Sequence, residues 1–102
     1  WERAKAFDGS ALIGTFVSKS RFEDIQNIDF KMTKNGELVQ HGNTQNMLFS
    51  IDQIIAEASK YFTLKIGDVI FTGTPAGVGP VRINDKLEGW LAEEKLFAVN
   101  VK

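Results

Sequence analysis

The chain has 102 residues, a formal net charge of −1 and no cysteine. That length holds one domain at most, and 12 basic against 13 acidic residues, interspersed, exclude a basic surface for nucleic acid or membrane. The missing thiols exclude disulfides, zinc–thiolate sites and thiol catalysis, and no apolar run approaches the ~20 residues of a membrane span.

The first stretch, Trp1 to Gly14, is mixed, and within it Lys5 stands between Ala4 and Ala6 beside Phe7. A lysine in apolar surroundings either packs its stem while its ammonium snorkels to water, or holds a carboxylate or a developing enolate. At an effective dielectric of ~20 and ~4 Å, the second arrangement is worth about 4 kcal/mol before desolvation is charged against it. The chain opens on Trp1 in the middle of what reads as folded sequence, without a signal peptide. The expectation is a C-terminal portion of a longer catalytic domain, spanning 1–102, with an N-terminal part missing.

Ala11 to Val17 reads as a short strand and Ser18 to Ile25 as a polar loop. Ile28, Phe30 and Met32 then alternate with Asp29, Lys31 and Thr33, the period of a half-buried strand. Asn35-Gly36 is the favoured type I′ hairpin turn, and Glu37 to His41 returns as the partner strand. Gly42 to Asn46 reads as a polar loop. Ser50 and Gln53 form an S-x-x-Q capping box. Ile51, Ile54, Ile55, Ala58 and Phe62 follow at helical spacing and predict a single helix over about 51–61.

The stretch around which the chain is organised is Gly67 to Val81, GDVIFTGTPAGVGPV. Val69, Ile70 and Phe71 read as a buried strand running into a loop with Gly73, Gly77 and Gly79 and two prolines. Such a loop brings backbone amides and the hydroxyls of Thr72 and Thr74 to one place, and glycine permits close approach of a ligand. It is not a P-loop, which needs GxxxxGK[ST], nor a dinucleotide loop, which needs GxGxxG opening a helix. By composition alone it is an ordinary turn. Lys86 to Leu91 and Leu96 to Val101 read as two further strands joined at Glu93-Glu94.

His41 is the only histidine, with no acid or serine pattern beside it in sequence, and reads as structural. The acids show no D-x-D, E-x-E or EF-hand spacing, so no carboxylate metal site is expected from this chain alone.

AKAFDGSALIG at 4–14, NGELVQHGNTQNMLFS at 35–50 and GDVIFTGTPAGVG at 67–79 together resemble the fumarylacetoacetate hydrolase family, in its acylpyruvase and 2-hydroxyhepta-2,4-diene-1,7-dioate isomerase-like branch. The resemblance covers essentially the whole chain. It implies an α+β, mostly β fold, a mixed β-roll with one helix, in a cytoplasmic homodimer. It implies hydrolysis or isomerisation of small oxo acids, with Mg²⁺ (or Mn²⁺ or Ca²⁺) bound by acidic residues outside this chain. Lys5 matches the family's lysine beside the metal and substrate oxygens, as a catalytic and substrate-binding residue. Thr74 matches the threonine that contacts substrate, and Gly73 adds a backbone contact. Ala6 departs from the glycine or serine more often found after that lysine, with a local backbone effect expected. The family's acidic ligands and catalytic histidine have no counterpart here, and His41 does not match that histidine. The rival reading is a non-catalytic β-rich module whose glycine loop makes a dimer or ligand contact. A piece of a larger roll should also leave apolar edges uncovered, Val69 to Phe71 and Leu96 to Val101 foremost.

Overall fold

The structure, a computed structural model, describes residues 11–102. Five regular elements follow one another: β1 (Asp29–Lys34), β2 (Glu37–Asn43), α1 (Ile51–Ser59), β3 (Lys86–Leu91) and β4 (Glu94–Asn100). The strands form one open sheet in the order β2-β1-β3-β4, and every pairing is antiparallel. Among the described residues the fold is therefore mostly β with a single α-helix, as the resemblance implies. Among the described residues no helix is long and apolar enough to cross a membrane.

The hairpin forms where the sequence places it. Asn35 and Gly36 take φ of 53° and 84°, the two positive values that a type I′ turn requires. The turn is also stapled to the start of β3. Asn35 N–H donates to the Lys86 carbonyl at 2.8 Å, the Lys86 N–H donates to Asn35 Oδ1 at 2.9 Å, and Asn35 Nδ2 donates to Asp85 Oδ1 at 2.9 Å. That last bond, with a second from the Arg82 N–H, holds the Asp85 carboxyl below its ordinary value of 3.8.

Two bulges break the register. Met32 faces Gln40 while Thr33 faces Leu38, so Val39 is the extra residue in β2. Gly89 faces Phe97 while Trp90 faces Lys95, so Leu96 is the extra residue in β4. Cross-strand partners share a face. One face thus carries Phe30, Met32, Gln40, Gly89, Leu91 and Phe97. The other carries Lys31, Trp90 and Lys95, with the two ammonium groups 5.1 and 5.4 Å from the indole centroid. Beside them Glu88, which pairs with Lys95, is held below its ordinary value of 4.5 by that hydrogen bond.

The capping box of α1 is complete: Gln53 N–H donates to Ser50 Oγ at 3.1 Å and Ser50 N–H donates to Gln53 Oε1 at 2.8 Å. Gln26 Oε1 accepts from the Ile51 N–H at 2.6 Å and ties the helix start to the loop before β1. The regular helix stops at Ser59, two residues short of the expected Tyr61, although the Tyr61 and Phe62 N–H groups still donate to the Ala58 carbonyl. The helix makes no substantial contact with any strand. Two expected polar loops, Ser18 to Ile25 and Gly42 to Asn46, each contain a short 3₁₀ turn, at Lys19–Arg21 and Thr44–Asn46, and β2 runs on to Asn43.

Two expected strands do not form. Ala11 to Val17 makes one backbone bond to the sheet, from Thr15 N–H to the Leu96 carbonyl at 2.9 Å. Leu96 is bulged out of β4, which interrupts the even spacing that a ladder needs. Val69, Ile70 and Phe71 are 45%, 38% and 65% exposed and lie in no strand, because no described strand runs beside them to complete a ladder. The last strand begins at Glu94 rather than Leu96, and its turn is Ala92-Glu93, with Ala92 at φ 53°. Leu96 to Val101, expected to be uncovered, lies largely within paired β4, and its apolar members are half-buried except Ala98. Among the described residues only Ile28 is a buried apolar side chain.

Candidate functional site

The glycine loop folds back onto the β1–β2 hairpin and is held there at three points. Gln40 Nε2 donates to Thr74 Oγ1 at 2.8 Å and to the Pro75 carbonyl at 3.1 Å. Gly77, at φ 106°, packs so closely on the Val39 carbonyl that a Cβ there would collide with it. Lys34 Nζ donates to the Pro80 carbonyl at 3.2 Å. The middle contact depends on the bulge, which turns the Val39 backbone out of the ladder.

Loop and sheet together border an open cavity of about 280 Å³. Gly73, Thr74 and Pro75 form one wall, Gln40 lies at their side, and Phe30, Met32, Leu91 and Phe97 supply an apolar floor with Gly89 between them. The volume lies at the lower edge of the ~300–1,000 Å³ usual for ligand sites, and few polar groups on an apolar lining is the usual composition. Gly73 takes φ 104°, and nothing stands within 4 Å of where a Cβ would be. Its backbone is therefore open on that side to a ligand. A larger hollow of about 750 Å³ lies along α1 beside Phe49, Gln53, Ile54, Glu57, Ala58 and Tyr61.

The structure thus brings Gly73 and Thr74 to one cavity. Lys5, with Ala6 and the rest of AKAFDGS, lies outside the described residues. His41 stays on the exposed side of β2, with Nε2 at 3.8 Å from Asp29 Oδ1, an acid that sequence distance conceals. Gln40 is the residue that the sequence reading missed. It lies within the quoted NGELVQHGN stretch, but strict alternation places it on the face of Leu38, and only the bulge puts it opposite Met32. Among the described residues no group of three or more histidine and acidic side chains could hold a metal ion, so these residues do not fit a metal site.

The model of the fumarylacetoacetate hydrolase C-terminal domain matches residues 1–101. Oxaloacetate tautomerase FAHD1 of Bos taurus, a mitochondrial protein, is 47% identical over 88 residues, 86% of this chain and 40% of the relative. Oxaloacetate tautomerase YcgM of Escherichia coli K12 is 48% identical over 88 residues, 85% of this chain and 40% of the relative. The chain therefore spans about 40% of the length of these relatives. Among solved structures, maleylpyruvate hydrolase from Sphingobium sp. SYK-6, in complex with manganese(II) and pyruvate, superposes with a TM-score of 0.78 at 36% identity, over 83% of this chain and 32% of that one. The 5-carboxymethyl-2-hydroxymuconate delta-isomerase of Mycobacterium smegmatis gives 0.73 at 31% identity, over 76% and 31%. Matched by the family's C-terminal model over residues 1–101 and by curated relatives at 47–48% identity, this chain belongs to the fumarylacetoacetate hydrolase family.

Proposed function

We propose that this chain supplies the glycine-loop wall and the catalytic lysine of an active site for small oxo acids. On this reading it is the C-terminal portion of the catalytic domain of a hydrolase or isomerase. The observation that carries the proposal is the convergence of Gly73 and the fixed Thr74 hydroxyl on one apolar-floored cavity. The identity to two oxaloacetate tautomerases favours keto–enol tautomerisation of an oxaloacetate-like substrate. Cleavage of acylpyruvates and isomerisation of 2-hydroxyhepta-2,4-diene-1,7-dioate share its central demand, stabilising the charge of an enolate.

The roles follow from the chemistry of the side chains. The Lys5 ammonium offsets negative charge as it grows on the enolate oxygen. The Thr74 hydroxyl donates to a substrate oxygen, and the Gly73 backbone lies against the ligand. Phe30, Met32, Leu91 and Phe97 give the site an apolar floor, which lowers the local dielectric beside the polar contacts. A divalent ion, Mg²⁺ or Mn²⁺, takes its ligands from residues other than those described, and manganese in the maleylpyruvate hydrolase supports it. The protein works as a homodimer, a reading supported by the uncovered apolar surface.

The test is kinetic, in the full-length enzyme, with oxaloacetate and an acylpyruvate as substrates. Lys5→Met keeps the stem's volume and removes the charge, and should lower kcat about 10²–10³-fold. Thr74→Val removes a neutral hydrogen-bond partner and should cost about 1–1.5 kcal/mol, spread over kcat and KM. A Lys5→Met enzyme that keeps kcat within a factor of about three of wild type would overturn the assignment.

A further inference from the structure

We infer that Gln40 is a positioning residue that makes Thr74 a donor, and thereby selects ligands that present an oxygen acceptor to this wall of the cavity. The inference rests on the substrate-binding role proposed for Thr74. Its starting point is the orientation of the Gln40 amide. A backbone carbonyl can only accept, so the amide group 3.1 Å from the Pro75 carbonyl is the NH₂, not the oxygen. The same nitrogen lies 2.8 Å from Thr74 Oγ1. A hydroxyl has one proton and two lone pairs. With one lone pair taken by the Gln40 N–H, the hydroxyl's proton is directed away from the amide. Among the described residues the Thr74 hydroxyl donates no hydrogen bond to the protein. Its proton is available to the cavity.

The consequence is chemical selectivity. A carbonyl or carboxylate oxygen at the Thr74 position completes a chain of donors, amide to hydroxyl to ligand, in which each bond polarises the next. A ligand that presents an ammonium group there gains nothing from the proton that the hydroxyl offers. The arrangement is built into the fold at two levels. The Val39 bulge puts Gln40 on the cavity face, and the Pro75 carbonyl locks its amide.

The probe is pyruvate, titrated into the full-length enzyme in Mn²⁺-containing buffer, with the dissociation constant as readout. Thr74→Val should weaken pyruvate binding about tenfold. Gln40→Met, of similar volume and without a donor, should weaken it about three- to tenfold. The double variant should bind within about a factor of two of Thr74→Val, because the two residues act through one proton. Gln40→Glu adds a signature that a merely structural role would not show. Ionised, its carboxylate can only accept and draws the Thr74 proton to itself. Protonated, it donates again, so pyruvate binding relative to wild type should recover as pH falls towards the usual glutamate range of about 4–5. Single effects that multiply in the double variant, wild-type binding by Gln40→Met, or a pH-independent Gln40→Glu defect would each overturn the inference while leaving Thr74 in the site. Wild-type binding by Thr74→Val would sink the site reading and this inference together.

Discussion

At the scale of single residues, the loop's position depends on a few groups with no chemistry of their own. Gly77 is one: its φ of 106° is one that side chains rarely adopt, and the Val39 carbonyl occupies the place of a Cβ. Gly77→Ala should destabilise the protein by more than about 1 kcal/mol, by combining a strained backbone with a collision. Urea unfolding monitored by Trp fluorescence measures this, and a change below about 0.5 kcal/mol would place the contact among tolerated surface positions. Gly73 carries a similar φ with open space around it, so Gly73→Ala meets the backbone strain alone. The resemblance singled out Gly73 for a ligand contact, and only the packing gives Gly77 its separate place against Val39. Thr74 was expected at the site because its loop has a strong family pattern. Gln40 was not, because its role depends on a register that no local pattern announces.

At the scale of elements, the hairpin and helix were legible because their signals are local. Asn35-Gly36 sets its own backbone, and Ser50 and Gln53 satisfy each other within one turn. The misreadings, at 11–17 and 69–71, share one cause: an apolar, β-branched run becomes a strand only if a partner runs beside it, and local sequence does not supply the partner. The junction of turn and β3 carries a further expectation. Asp85 is held below its ordinary 3.8 by the Asn35 amide first and the Arg82 N–H second. A carboxyl with a folded-state value below its unfolded one adds stability above the unfolded value, and that stability is lost as pH falls through the folded one. Asp85→Asn should therefore lower stability at neutral pH and flatten the acid limb as pH falls below the ordinary value of 3.8. Unfolding curves across that range give the answer, and parallel limbs in the two proteins would show that the Asn35 bond does not discriminate the charged form.

At the scale of the whole molecule, the accessible surface is 8541 Å², whereas a compact monomer of 11.4 kDa should show roughly 5,800 Å². The excess is apolar in its most exposed places: Leu48 is 94% and Ile66 107% accessible. Free in solution, the 102-residue chain should therefore associate as concentration rises and bind a hydrophobic dye. Sedimentation and dye fluorescence test this together, and a monomer at all concentrations that binds no dye would contradict it. The family was legible from three motifs, but the cover for these faces was not, since nothing in a strand's own residues names its neighbour. One feature of β2 reaches across all three scales. In a strict strand, side chains two apart point the same way, yet Leu38 and Gln40 do not, because Val39 adds one residue to the count. Side-chain direction in β2 is therefore a matter of parity: a substitution alters one letter, whereas losing or gaining one residue at Val39 would exchange inside for outside along the rest of the strand. The cavity's identity is written in the spacing of this hairpin as much as in its spelling.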